Sequence, residues 1–210
     1  ARVPSVGADV LRTGVVNVEN NIKFMSASSA SETRTDPHIW LDPVFEQEVA
    51  RVVRDALMKV DPAHSDDYSK NATELIGQLQ ALDDEYRAAL ATCRQKDIVT
   101  SHAAFGYLAK RYGLTQVSIT GLSPEDEPSA QQLADVARLA KEKGVTHIFF
   151  ETLVSPKLSQ TIAEEVGAQT ISFNPLEGLT DDEIKAGETY VTVMRDNLKH
   201  LKTALQCNGG

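Results

Sequence analysis

Three stretches of this chain concentrate side chains that can do chemistry. The first is Asp36-Pro37-His38-Ile39-Trp40-Leu41-Asp42-Pro43, which holds the only Trp, one of five His, two carboxylates and two prolines. The second is Thr100-Ser101-His102, behind a short apolar run, and the third is Asn174-Pro175-Leu176-Glu177, behind another. His38, His102 and Glu177 are the candidate ligands of a single transition-metal ion. Imidazole combined with carboxylate suits zinc, and also manganese or iron. The three lie far apart in sequence, so spacing alone does not define a metal site. Each also has a plainer reading. His38 could be a turn residue with a hydrogen-bonded ring, His102 could cap the helix after it, and Glu177 could be an ordinary exposed carboxylate.

The remaining candidates are weaker. Glu151 follows a predicted strand and stands at the same edge as His102 and Glu177, where it could support a ligand from behind. Ile39 and Trp40 read as core anchors. His64, beside Pro62 and Asp66-Asp67, reads as exposed. His147, inside a strand, reads as structural, and His200 meets the dipole at the end of the last helix. Thr180 and Glu183 form a capping box and need no functional role. No Gly-rich loop follows a strand, which excludes a P-loop and a dinucleotide fingerprint. No Ser occupies a nucleophile elbow. Cys93 has no neighbouring His and ends a helix. Cys93 and Cys207 are either two separate thiols or one long-range disulfide of an exported protein.

These residues need elements to place them. Asp42 and Pro43 suit the N-cap and first position of a helix carrying Phe45, Val49, Val52, Val53, Ala56, Leu57 and Val60. Asp61-Pro62 ends that helix and starts another, expected over 62–92 and on the order of 45 Å long. The pattern then changes to short apolar strands, over 98–101, 116–120, 145–150 and 169–173, separated by helices. Helix ends are expected at Gly113, Gly144 and Gly167, and one helix is expected to start near Ala103. Strand–helix alternation of this kind predicts an α/β lobe with a four-stranded parallel sheet flanked by helices on both faces. Ligands of such sheets bind beyond the carboxyl ends of the strands, which is where His102 and Glu177 fall. Upstream, Val15 to Val18 could be a short strand and Ser26 to Thr35 reads as a loop. The expected organisation is the tail of a truncated N-terminal lobe over 1–61, a long linker helix over 62–92 and a C-terminal α/β lobe over 93–210.

The 210 residues carry a net charge of −9, with 24% charged and 41% hydrophobic side chains. That mix is globular, and the charge argues against a nucleic-acid partner and against anionic lipid. No apolar run approaches the length of a membrane span. The chain opens Ala1-Arg2-Val3-Pro4, without Met or a signal-peptide pattern, and is therefore expected to have been processed or trimmed.

Taken in order, the motifs resemble the zinc- and manganese-specific solute-binding proteins of bacterial ABC importers, the ZnuA-like group. The resemblance rests on Asp36 to Pro43, Thr100 to Leu108, Gly121 to Ser129, Phe150-Glu151, Asn174 to Leu179 and Tyr190 to Asn197. It implies two α/β lobes joined by a long rigid helix, with the metal between them on four ligands. His38, His102 and Glu177 match the second, third and fourth of these. His at the third position favours zinc over manganese. Glu at the fourth matches a zinc-binding streptococcal, AdcA-like lipoprotein type that also acts as a surface adhesin. The family's first ligand is a His upstream, and no His precedes His38 here. Weaker zinc binding is therefore expected, together with self-association through apolar surface of the truncated lobe.

The resulting expectation is a non-enzymatic, extracytoplasmic protein, periplasmic or a surface lipoprotein. It captures zinc and delivers it to the permease of an ABC importer. A metal-dependent hydrolase using Glu151 as base, and an adhesin for a host matrix protein with structural zinc, are the alternatives.

Overall fold

The structure, a computed structural model, describes residues 26–28 and 33–207. The expected strand at Val15 to Val18 lies outside the described residues. The segment read as a loop instead carries two short strands, β1 (Ser26–Ser28) and β2 (Thr33–Thr35), paired antiparallel. Its Ser and Thr residues lack apolar alternation, so backbone pairing makes these strands without a hydrophobic signal to announce them.

A 3-10 turn (Ile39–Leu41) leads into α1 (Pro43–Val60). Asp42 caps α1 as its sequence predicts, its side chain accepting from Val44 N at 2.9 Å. The expected long helix is shorter than 62–92. Pro62–His64 form a separate 3-10 turn, and α2 runs over Ser65–Leu90, about 39 Å at 1.5 Å per residue. The α2 helix packs against both α1 and the last helix, α7 (Tyr190–Ala204).

Between α2 and α7 the chain alternates as expected: β3 (Asp97–Thr100), α3 (Gly106–Tyr112), β4 (Thr115–Ser118), α4 (Ala130–Glu142), β5 (His147–Phe150), α5 (Lys157–Val166), β6 (Gln169–Ser172) and α6 (Asp181–Ala186). The four strands form a parallel sheet in the order β4-β3-β5-β6. Gly113 and Gly167 end α3 and α5 in the left-handed conformation, at φ +67° and +72°.

Alternation within each strand divides the core between two layers. Ile98 and Phe149 point to one face, where they join Phe173, Tyr86 and Leu90 of α2, Leu108 of α3 and Met194 and Leu201 of α7. Val99 and Ile148, one residue out of phase, point to the other face, against Val136 and Ala140 of α4 and Ile162 of α5. A one-residue slip would exchange the two sets, so register is strongly specified. Far from the strands' carboxyl ends, Cys93 and Cys207 form a disulfide across 114 residues of sequence. Among the described residues, no helix is long and apolar enough to cross a membrane.

Candidate metal centre

The strand order reverses direction between β3 and β5, which makes the carboxyl edge of that pair the expected binding crevice of an open sheet. His102 leaves β3 and Glu151 leaves β5 at this edge. The carboxylate Oε1 of Glu151 accepts the backbone N–H of His102 at 3.2 Å and meets its Nδ1 at 2.7 Å. Because the acceptor is a carboxylate, Nδ1 carries the proton of the neutral ring and Nε2 presents its lone pair. The turn is braced from below: Thr100 Oγ1 and Gln116 Nε2 both donate to the His102 carbonyl, at 2.8 and 3.0 Å.

The helix after His102 starts at Gly106, not near Ala103 as expected. The N–H groups of His102 and Ala103 are bound to Glu151 and to the Gly121 carbonyl, which holds this stretch against the sheet edge as a turn before the helix begins. His102 is therefore not the cap of α3, and its ring faces the crevice.

His38 is held by the same device built locally. Asp36 Oδ1 accepts the His38 N–H at 3.0 Å and meets Nδ1 at 2.7 Å. Both His residues and both carboxylates are buried.

The third candidate comes from the loop after β6. Asn174 and Asn197 exchange backbone and side-chain hydrogen bonds at 2.9 and 2.7 Å. The Asn174 side chain then donates to Glu183 Oε1 at 3.0 Å and accepts the Leu176 N–H at 2.8 Å. Leu176 sits at φ +57°, a region unfavourable for a bulky residue, and the Asn174 turn holds it there. Glu177 follows directly, with 31% of its side chain exposed.

The structure thus brings His38, His102 and Glu177 together, with one ligand atom from each within 4.8 Å of the others. Glu177 Oε1 lies 3.3 Å from His38 Nε2 and 3.4 Å from His102 Nε2. The two rings stand 5.3 Å apart, centre to centre. Burial pulls the His102 pKa down, but the hydrogen bond and charge of Glu151, joined by Glu177, outweigh it and leave the pKa raised. Among the described residues, His102 Nε2 is buried with no hydrogen-bond partner, as is Glu151 Oε2. An unpartnered imidazole nitrogen is costly unless something else binds it, and a cation between the three donors fits that need.

Asp36 was missed as the partner of His38, although its position two residues upstream in the first motif was a usable signal. Glu151 supports His102 as its position suggested. Trp40 and Glu183 do more than anchor and cap. Trp40 Nε1 donates to the Pro175 carbonyl at 2.8 Å, and Glu183 braces Asn174. The other histidines lie elsewhere: His64 pairs with Asp61 in the turn before α2, His147 begins β5, and His200 lies within α7.

Residues 5–204 match the family model described as ZnuA, zinc-uptake complex component A, periplasmic. The chain is 44% identical over 174 residues to the zinc-binding protein AdcA of Streptococcus pyogenes serotype M6, an alignment covering 83% of this chain and 34% of that protein. It therefore spans about a third of the length of this curated relative. Among solved structures, a mutant of the laminin-binding adhesin Lmb of Streptococcus agalactiae superposes with a TM-score of 0.81 at 36% identity, covering 89% of this chain and 69% of that one. The Zn(II)-bound ZnuA-like domain of Streptococcus pneumoniae AdcA superposes with a TM-score of 0.70 at 44% identity, over 81% of this chain and 64% of that one.

Proposed function

The chain belongs to the ZnuA family of zinc-uptake components, and from that premise we propose that His38, His102 and Glu177 bind a zinc ion as cargo. The zinc is captured outside the cytoplasm and passed to the permease of an ABC importer. The observation that carries the reading is the convergence of the three donors, with both imidazoles held at Nδ1 by buried carboxylates so that each Nε2 faces Glu177. Two nitrogens and one oxygen suit zinc, and three protein donors leave a fourth tetrahedral position for water or another donor. The Cys93–Cys207 disulfide supports an oxidising compartment. We keep the division into 1–61, 62–92 and 93–210 as the working domain scheme, with self-association through the first part as its corollary.

A hydrolytic role is disfavoured by geometry. Glu151, the carboxylate that could serve as a base, binds Nδ1 of His102, on the opposite side of the ring from Nε2. The likeness to a laminin-binding adhesin supports a second reading, attachment to a host matrix protein, which a solid-phase laminin assay checks.

Zinc titration against a chromophoric chelator tests the main reading. The chain should take up one equivalent, and His38→Ala, His102→Ala and Glu177→Ala should each weaken uptake. A chain that takes up no zinc, or variants that bind as well as the parent, would overturn it.

A further inference from the structure

The segment that carries His38 is tied at four points to the part of the molecule that carries His102 and Glu177. Tyr107 Oη, in α3, donates to the Asp36 carbonyl at 3.1 Å. Arg111, also in α3, makes a two-pronged contact with the Asp42 carboxylate at 2.8 to 3.0 Å. Tyr190 Oη, at the start of α7, donates to the Trp40 carbonyl at 2.7 Å. The Trp40 indole donates to the carbonyl of Pro175, two residues before Glu177. The indole also stands edge-on to the His38 ring, with centroids 5.3 Å apart. Trp40 therefore touches one candidate ligand through its ring and the loop of another through its N–H.

We infer that residues 36–42 are a strap fastened to the sheet-bearing lobe, and that Trp40 and Tyr190 are positioning residues that fix His38 relative to Glu177 before any metal arrives. The inference rests on the zinc-binding reading for its affinity consequence, though not for the strap itself. Within the working domain scheme, the strap makes the three donors one preassembled unit. Preassembly matters because an ion that finds its donors in place does not have to order them on binding.

Two conservative variants separate the strap from general packing. Trp40→Phe keeps an aromatic ring and removes the indole donor; Tyr190→Phe removes one hydroxyl. Both should stay folded by circular dichroism. Loss of partners that orient metal ligands typically costs about 10- to 100-fold in affinity. Zinc affinity should therefore fall about 10-fold in Trp40→Phe and by a smaller factor in Tyr190→Phe. The visible bands of bound cobalt(II) should also shift in Trp40→Phe, which a packing role far from the donors would not cause.

A metal-free readout tests the strap independently. As the chain has one Trp, its indole N–H gives a single nitrogen–proton NMR signal. In the chelator-treated full chain that proton should exchange slowly, and Tyr190→Phe should speed its exchange. Fast exchange in the parent chain would overturn the strap whether or not zinc binds. Slow exchange together with parental zinc affinity and an unchanged cobalt spectrum in Trp40→Phe would overturn the positioning role. Slow exchange in a chain that takes up no zinc would leave the strap standing and remove the function proposed above.

Discussion

His38 and His102 are presented to the same point by the same hydrogen-bond pattern, built from very different stretches of chain. In each, one carboxylate oxygen receives both the backbone N–H and Nδ1 of a single histidine. For His38 the carboxylate is two residues away, so a local turn is enough to bring the pair together. For His102 it is 49 residues away, and the pair exists only because β3 and β5 are adjacent in the sheet. The lesson concerns what each half of the site depends on. One half needs a local turn and the strap that docks it, while the other needs the register of a folded sheet.

The largest expected effect asks whether the sheet-dependent half answers to global stability. In the chain-entropy picture, a disulfide closing a loop of this length contributes about 4–5 kcal/mol. Replacing both Cys93 and Cys207 by Ser should lower the denaturation free energy by about that amount. The bridge is remote from the strands' carboxyl edge, so zinc affinity measured where the protein is still folded should change by less than about 2-fold. Denaturant titration and chelator competition on the same sample check this. A parallel collapse of affinity would mean that His102 is held by more than the sheet edge.

Next in size is removal of a donor. Apparent zinc-binding free energies of about 10–16 kcal/mol shared over four donors leave about 2.5–4 kcal/mol each. His38→Ala and His102→Ala should therefore each weaken zinc binding by roughly 100- to 1,000-fold. Equal losses in calorimetry would support equivalent histidines, whereas a minor loss for His38→Ala would break the comparison and leave His102 with Glu177 as the working pair.

A smaller change, made to the carboxylates, separates the two halves. Asp36→Asn and Glu151→Gln keep shape while weakening the pull on Nδ1. Both should reduce zinc affinity by about 10-fold, as partners of metal-bound histidine do. Their stability costs should differ. Glu151 sits deep against the sheet with one oxygen unpartnered among the described residues, so Gln places an amide nitrogen where none of them offers an acceptor. Thermal melts of the metal-free variants should therefore show the greater loss for Glu151→Gln.

The same local-versus-distant contrast explains what could be read in the chain. Asp42-Pro43 announces the start of α1 because capping is a matter of adjacent residues. The out-of-phase pairs Ile98/Val99 and Ile148/Phe149 announce a sheet covered on both faces. The helix α3 starts at Gly106 and not near Ala103, because the chain after β3 first forms a turn tied to Gly121 and Glu151, and those ties are tertiary. The Asp36–His38 pair lies two residues apart, a spacing that the sequence itself displays. Asn197 was not, since its role in the Glu177 loop depends on α7 lying beneath Asn174. The strands β1 and β2 escaped because polar residues held by backbone pairing leave no periodic trace.

The smallest effect is the one pH reveals, and it belongs to His102. Burial would lower its pKa from the ordinary value of 6.5, yet Glu151 and Glu177 reverse that and leave it raised. A histidine with a raised folded-state pKa contributes stability that is fully present below its unfolded pKa and is lost as pH rises through the folded pKa. In the metal-free chain this contribution is thus an acid-side one. Zinc acts in the opposite sense, because Nε2 must be free of its proton to bind. The gain in melting temperature on adding zinc should therefore shrink as pH falls through the raised His102 pKa. In Glu151→Gln that pKa should drop, since burial then outweighs what remains of the favourable charge, and the loss of zinc stabilisation should move to lower pH. Paired melts with and without zinc across about pH 5 to 8, bracketing the ordinary histidine range, measure both shifts. An unmoved profile in Glu151→Gln would show that the distant carboxylate orients His102 without setting its charge, and the likeness between the two histidine clamps would then be one of geometry alone.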